Sequence, residues 1–239
     1  MRVHLDYGTH GLGVDLPDDN VTVIEPVPRP AVADPHAALM AAIRAPIGCT
    51  PLRQQVRPGH RVAISVCDIT RAQPRREQIR ALFEEMPDVR PADVTIFIAT
   101  GTHRSNTGAE LEQMLGRDIL NSCRVVNHDS RNAATLARVG RTSTGVDVFL
   151  NREFLEADVR ITTGFVEPHF FAGFSGGPKM VAPGLAGIDT VMTLHDAARI
   201  GHPNATWGVT EGNPIHDDVR EIARMVGVNF AVDVTLNRE

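Results

Sequence analysis

The stretch RVAISVCDITRAQPRREQIRALFEEMPDVRPADVTIFIATGTHR, residues 61–104, decides the fold class of this 239-residue chain. Its two apolar runs, RVAISV (61–66) and the β-branched DVTIFIAT (93–100), each predict a buried strand. Between them, PRREQIRALFEEM (74–86) has apolar residues at helical spacing. A strand, a helix and a strand in this order predict two parallel strands joined by a crossover helix.

The same alternation continues on both sides of this stretch. Asp34 and Pro35 are typical of the N-cap and first position of a helix over HAALMAAIRA (36–45), and Thr107 and Glu110 form a capping box for the next helix. Further strands are predicted over RVHLDYG (2–8), VTVIEP (21–26), CRVVNHD (123–129), VDVFL (146–150), VRITTGF (159–165) and NFAVDVTLNRE (229–239). Helices are also predicted over GIDTVMTLHDAARI (187–200) and, behind the cap Asn213, PIHDDVREIARMV (214–226). This pattern predicts an α/β fold, a mainly parallel sheet with helices on both faces, Rossmann-like.

Composition and charge exclude several classes of protein. Apolar residues make up 42% of the chain and charged residues 22%, which is typical of a globular domain. The net charge of −5 argues against a nucleic-acid surface, and no apolar run reaches the roughly 18 residues of a membrane span. The N-terminus lacks the apolar core of a signal peptide, so a cytoplasmic protein is expected. Cys49, Cys67 and Cys123 are widely spaced and odd in number, so we expect three buried small residues and neither disulfides nor a zinc site.

Polar motifs follow three of the predicted strands directly. Asp68 and Arg71 follow the first, His103 follows the second, and His169 follows VRITTGF. In open parallel sheets, ligands bind in the crevice beyond the carboxyl ends of the strands. If these strands are neighbours, the motifs and the loop around Lys179 converge on one crevice.

Each of these residues also has a structural interpretation. Asp68 and Thr70 could cap the following helix, and Arg71 could form a surface ion pair. A single histidine is more often structural, which is how we interpret His128, His202 and His216. Two histidines on separate strand-end loops, His103 and His169, would instead suit an acid and a base on opposite faces of a small substrate.

Lys179 is the only lysine of the chain, in the glycine-rich segment GFSGGPKM (173–180). A lysine amine can lose its proton and become a nucleophile or an amide nitrogen, whereas an arginine guanidinium stays protonated. The alternative is that an arginine-rich composition left one lysine by chance. The segment also lacks the P-loop pattern, because Pro178 stands where that motif has glycine and Met180 where it has a hydroxyl. Backbone amides at 175–177 could still bind a phosphate.

The motifs together resemble the lactate racemase family of nickel-pincer-nucleotide enzymes. They are Asp68-Ile-Thr-Arg71, Thr100-Gly-Thr-His103, Glu167-Pro-His169, Gly173-Phe-Ser-Gly-Gly-Pro-Lys179, Pro183-Gly184 and His195. The resemblance runs in order from about residue 5 to the end of the sequence. It implies a two-domain enzyme, of which residues 1–239 form the N-terminal, cofactor-bearing domain, with the C-terminal domain absent or truncated. Such an isolated domain could be inactive.

The resemblance also implies a role for each motif residue. Lys179 would carry the nickel-pincer nucleotide (the nickel complex of pyridinium-3,5-bisthiocarboxylic acid mononucleotide) through a thioamide, which an amine can form and a guanidinium cannot. His195 would bind the nickel, His103 and His169 would act as acid and base, and Arg71 would bind the substrate carboxylate. The remaining cofactor contacts would be Asp68, Thr70, Ser175, Gly176 and Pro183.

The implied function is racemisation or epimerisation of a lactate-like 2-hydroxy acid by hydride transfer to the cofactor. Its partners would be that small acid and the enzymes of cofactor synthesis, with neither nucleic acid nor membrane. Two alternatives stay open. One is a metal-free Schiff-base or phosphate-binding enzyme that uses Lys179, and the other is a non-catalytic nucleotide-binding domain.

Overall fold

The computed structural model describes residues 1–24, 27 and 29–236, in which the chain forms two compact units, Met1–Ala31 and Val32–Leu236. The strands are β1 (Arg2–Leu5), β2 (Leu12–Asp15), β3 (Val62–Cys67), β4 (Val94–Ala99), β5 (Arg124–Asn127), β6 (Leu136–Arg141), β7 (Asp147–Asn151), β8 (Val159–Phe165), β9 (Pro168–His169), β10 (Gly173–Phe174) and β11 (Phe230–Val234). The helices are α1 (Pro35–Arg44), α2 (Leu52–Gln55), α3 (Arg75–Glu84), α4 (Gly108–Leu115), α5 (Arg117–Ser122), α6 (Arg152–Leu155), α7 (Ile188–Leu194), α8 (Ala197–Ile200) and α9 (Pro214–Val226).

The smaller unit is built around the antiparallel hairpin of β1 and β2, in which Leu5 pairs with Leu12. The predicted strand VTVIEP is wrong where it is described, because Val21–Ile24 form no strand; Glu25 and Pro26 lie outside the described residues. A strand needs a partner backbone, and within this unit β1 is already paired with β2.

The larger unit contains a five-stranded sheet in the order β11-β8-β3-β4-β5, and all its pairs are parallel. Every residue of β3 is buried, and alternate residues of the strands point to opposite faces. Ile64 and Ile96 belong to the core beneath α1–α5, whereas Ala63 and Phe97 belong to a second core with α6, α7, α9 and β7. Helices therefore cover both faces, and the predicted fold class is confirmed.

Side-chain caps set most of the helix boundaries. Asp34 accepts a hydrogen bond from Ala37 N at 2.9 Å at the start of α1, and the predicted capping box opens α4. One predicted helix is wrong, since residues 187–200 form α7 and α8 instead of one helix. Asp196 accepts from Arg199 N at 2.7 Å and begins α8, so His195 lies at the C-terminal end of α7.

The cysteines follow the expectation in two cases of three. Cys67 and Cys123 are buried, and Cys49 is exposed in the loop after α1, so its predicted burial is wrong. That loop belongs to no helix or strand, and its Ile47 is exposed as well. In the described part of the chain, no helix has both the length and the apolar character needed to cross a bilayer.

Candidate functional site

Three polar loops leave the sheet at one edge. β8, β3 and β4 are adjacent and parallel, so the segments after Cys67, Ala99 and Phe165 all begin at the carboxyl edge of the sheet. The expectation that these three strands are neighbours is confirmed. The site is therefore built from the loops that carry Asp68, His103 and His169.

Asp68 joins the first two loops. Its carboxylate is 3% exposed, and its Oδ2 lies 2.6 Å from His103 Nδ1. Its Oδ1 accepts from Thr70 N at 3.1 Å and from Thr70 Oγ1 at 2.6 Å. The helix-cap interpretation of Asp68 and Thr70 is therefore wrong, because α3 begins at Arg75 without a side-chain cap. A carboxylate can only accept, so His103 carries its proton on Nδ1 and has a free lone pair on Nε2.

Arg75 holds the shape of the Asp68–Arg71 loop. Its guanidinium is buried and donates to the carbonyl oxygens of Cys67 at 2.7 Å, Arg71 at 2.7 Å and Gln73 at 3.1 Å, and also to that of Asp68. Burial lowers the pKa of this guanidinium. The side chain of Arg71 is exposed and forms no ion pair with a described residue, contrary to its surface ion-pair interpretation.

His169 has the opposite tautomer to His103. Its Nδ1 accepts from Ala172 N at 3.2 Å and from Phe171 N at 3.5 Å, which leaves the proton on Nε2. Burial, together with the charges of Lys179 and Arg71 and with His195, lowers its pKa to about 4. His169 is therefore a neutral hydrogen-bond donor at neutral pH, within electrostatic range of Lys179.

His195 packs on the same aromatic ring as His169. The ring of Phe171 lies edge-on to both, with centroid distances of 4.5 Å to His169 and 5.3 Å to His195. His195 Nδ1 donates to Val191 O at 2.7 Å, so its Nε2 lone pair is free. The described residues contain no group of three or more histidine, cysteine or acidic side chains placed to bind a metal ion, and His195 is a single candidate donor.

Lys179 lies in a 3₁₀ turn, Gly177–Met180, that follows β10. Its carbonyl accepts from Gly184 N at 3.1 Å, and Gly184 O accepts from Gly101 N at 3.0 Å, which ties this loop to the one that carries His103. Burial and the charge of Arg71 lower the pKa of the amine to about 8, against the charge of Glu167, which raises it. The amine makes no hydrogen bond or ion pair with a described residue. Lys179 is thus a partly buried amine whose neutral fraction near neutral pH is much larger than that of an ordinary lysine.

Comparison with known proteins shows the family of the chain. A model of the lactate racemase N-terminal domain family matches residues 7–208. The chain belongs to this family. The lactate racemase of Thermoanaerobacterium thermosaccharolyticum is 33% identical over 244 aligned residues, which cover 99% of this chain and 56% of that protein. The lactate racemase of Lactiplantibacillus plantarum is 37% identical over 195 residues, 81% of this chain and 46% of that protein.

Solved structures show the same relationship. The lactate racemase apoprotein from T. thermosaccharolyticum matches with a TM-score of 0.87 at 32% identity, over 99% of this chain and 56% of that one. A Thermotoga maritima protein matches with a TM-score of 0.70 at 22% identity, over 85% of this chain and 52% of that one, and shares the fold. This lactate racemase family member spans about half the length of the curated relatives it matches.

The remaining predicted cofactor contacts lie beside Lys179. The Ser175 hydroxyl donates to Phe165 O at 2.8 Å and accepts from Glu167 N at 2.9 Å, so it already stabilises the loop. Gly176 precedes the 3₁₀ turn, and Pro183 follows it. Their roles toward a cofactor stay predictions. The structural interpretation of His128 agrees with its buried ring, whose Nε2 donates to Ala186 O at 2.9 Å.

Several residues of the site were not predicted from sequence. Arg75 fixes the Asp68–Arg71 loop, Phe171 contacts His169, and Glu167 and Asp233 lie near the Lys179 loop; of these, Glu167 belonged to a predicted motif but had no predicted role. One signal was available, since Asp233 is an acid inside the apolar run NFAVDV. A cavity of about 830 Å³ adjoins the glycine-rich segment 173–180. It is lined by Gly177, Pro178, Asp233 and residues of α9 and β11, and none of the candidate histidines lines it.

Proposed function

We propose that this chain is the N-terminal, cofactor-bearing domain of an enzyme that racemises or epimerises a 2-hydroxy acid. The observation that carries this proposal is the pair of histidines at one edge of the sheet with opposite tautomers. His103 presents a lone pair on Nε2, and His169 presents a proton on Nε2. Inversion at a carbinol carbon needs a base for the hydroxyl proton on one face and an acid on the other.

The acid and base exchange roles during one turnover. His103 Nε2 accepts the hydroxyl proton, and Asp68, fixed on the opposite ring nitrogen, stabilises the imidazolium that results. In the neutral form that its surroundings favour, His169 donates an Nε2–H hydrogen bond to the substrate oxygen from the other face, and it supplies a proton to that oxygen only from its imidazolium form. In the reverse direction, each histidine performs the other step, as microscopic reversibility requires. The starting states for the two enantiomers therefore differ in which of the two histidines carries the extra proton.

Arg71 is the proposed substrate anchor. Its guanidinium is exposed at the edge of the sheet, lacks a described partner and belongs to the loop fixed by Arg75. A guanidinium binds a carboxylate through two parallel hydrogen bonds, which would orient a 2-hydroxy acid between the histidines.

The residues present fit the nickel-pincer nucleotide that the family resemblance implies. Lys179 supplies an amine free of described partners, and His195 supplies an imidazole lone pair, a donor that nickel accepts together with sulfur. When bound, this group would supply an acceptor for a hydride from the carbinol carbon. Lys179 would hold it covalently and His195 through the metal, while Asp68, Thr70, Ser175, Gly176 and Pro183 would surround it.

Activity is proposed for a full-length protein of the relatives' size. The chain covers 56% of the T. thermosaccharolyticum lactate racemase, and a second domain could close over the site and complete the substrate contacts. We therefore propose that residues 1–239 alone bind the cofactor weakly or turn over no substrate.

The test is intact-mass analysis of full-length protein produced together with the cofactor-synthesis enzymes. We expect an adduct on the peptide that contains Lys179, and racemisation of a 2-hydroxy acid such as lactate. The matched control is Lys179→Arg, which keeps the charge but cannot form a thioamide, and it should carry no adduct and show no racemisation. Active protein with an unmodified Lys179 would refute the proposal.

The lowered pKa of Lys179 also supports a second candidate, a Schiff-base enzyme, because such enzymes use a desolvated amine. Borohydride trapping of a carbonyl substrate on nickel-free protein separates the two, since a lysine already in an amide leaves no amine to trap. A non-catalytic nucleotide-binding domain would instead keep all measured properties after His103→Ala or His169→Ala.

A further inference from the structure

Asp233 lies at the carboxyl end of β11, and its carboxylate contacts the loop that carries Lys179. Both of its oxygens accept from Gly177 N at 3.1 Å. Gly177 is the first residue of the 3₁₀ turn of Lys179, and Lys179 N donates to Gly176 O at 3.1 Å. One partly buried carboxylate thus binds the backbone two residues before the lysine.

The surrounding glycines leave the space that this carboxylate occupies. A Cβ on Gly164, the residue paired with Asp233 across β8 and β11, would lie 2.6 Å from Asp233 Oδ1. A Cβ on Gly176 would lie 2.7 Å from the same atom, and Gly176 also has a φ of +74°. Two glycines from separate elements therefore leave the space through which Asp233 reaches Gly177. The glycine at position 176 of the glycine-rich segment therefore has a structural reason that does not involve a bound ligand.

We propose that Asp233 is a positioning residue for Lys179. Its carboxylate fixes the start of the turn, so that the Lys179 amine is held partly buried beside Arg71 and His169. This inference rests on the proposed role of Lys179 as the point of cofactor attachment. It adds a residue of the last strand, which lies beyond the segment matched by the family model. Without the carboxylate, the partly buried Gly177 N–H loses its acceptor, and the turn can move the amine toward water.

The test uses the unmodified chain and the fact that Lys179 is its only lysine. Trace acetylation with acetic anhydride at a series of pH values, followed by peptide mass spectrometry, gives the pH midpoint of Lys179 reactivity without interference from other side-chain amines. Asp233→Asn keeps the side-chain shape and one acceptor oxygen, whereas Asp233→Leu keeps a similar branched shape and has no acceptor. Because asparagine does not titrate, a midpoint shared by the Asp and Asn proteins belongs to Lys179.

We expect a midpoint near 8 for the wild type and for Asp233→Asn. For Asp233→Leu it should rise by about one pH unit or more, toward the ordinary lysine value, as burial of the amine is lost. The control is Asp218→Asn. Asp218 is a buried acid elsewhere in the fold and accepts from Arg199 at 3.0 Å, so its change should leave the Lys179 midpoint unchanged even if thermal stability falls.

Gly164→Ala gives an independent variant if Asp233→Leu does not fold. Its methyl group displaces the Asp233 carboxylate from Gly177 while the acid itself remains, so the midpoint should rise as well. A folded Asp233→Leu or Gly164→Ala protein with the wild-type midpoint would overturn the proposal. Because no cofactor is present in this experiment, its result does not depend on whether Lys179 is later modified.

Discussion

The Lys179 amine should react as a lysine of unusually low pKa, and two neighbouring charges should change that pKa in opposite directions. Its pKa is lowered from 10.5 to about 8. At pH 7 this means that about one amine in eleven is neutral, against about one in three thousand for an ordinary lysine, a difference of about 300-fold. The neutral amine is the form that can be acylated.

The charges of Arg71 and Glu167 predict the sign of each change. Arg71→Gln removes a positive charge that lowers the pKa of the amine, so the midpoint should rise by about half a pH unit or more, equivalent to about 0.7 kcal/mol. Glu167→Gln removes a negative charge that raises the pKa, so the midpoint should fall. Both side chains are exposed, so neither change should lower the melting temperature appreciably.

The assay is the acetylation profile of Lys179 between about pH 6 and pH 11, with circular dichroism melting as the check of folding. Because the two variants each neutralise one charge, a non-specific loosening of the loop would shift both midpoints in the same direction. Midpoints that move together, or a wild-type midpoint near 10.5, would refute the electrostatic reasoning.

Three further predictions follow from the site. Asp68→Asn in the loaded full-length enzyme should slow racemisation by about tenfold to a thousandfold, because the contact that orients His103 loses its charge. The Lys179 adduct should stay complete, and unchanged turnover would contradict this prediction. Lys179→Met should raise the pKa of His169 from about 4 toward 6.5, measured by NMR titration of the ring, since one lowering charge is removed; a lower value would contradict it. Asn213→Ala should reduce the free energy of unfolding, measured in urea, by about 2 kcal/mol or more, because the buried amide both caps α9 and donates to two loop carbonyls. A loss below about 0.5 kcal/mol would contradict this prediction.

The parallel sheet could be predicted because its strands are buried on both faces. RVAISV and DVTIFIAT are continuous apolar runs for this reason, and the polar residues that follow them mark the carboxyl edge. VTVIEP has the same local composition, but local composition does not reveal whether a partner strand exists. The split after α7 was missed because Asp196 was taken as a helical residue, although its side chain caps the next helix.

The chemistry of the histidines could be predicted only in part. Their positions follow from the strand ends, but their tautomers follow from partners that the local sequence does not identify. Asp68 is 35 positions from His103, and His169 is fixed by the backbone of its own turn. Asp233 is 56 positions from Gly177, and only the register of β11 on β8 brings them together.

The two arginines after β3 show most clearly why residue type alone does not assign a role. Arg71 and Arg75 lie four positions apart, yet one is exposed without a described partner and the other is buried among carbonyl oxygens. The loop turns four carbonyls inward, and only a planar guanidinium has enough directional donors to satisfy them, so lysine could not replace Arg75. Because Arg75 satisfies these four carbonyls, the Arg71 side chain is not needed for them, which is consistent with its proposed role as substrate anchor.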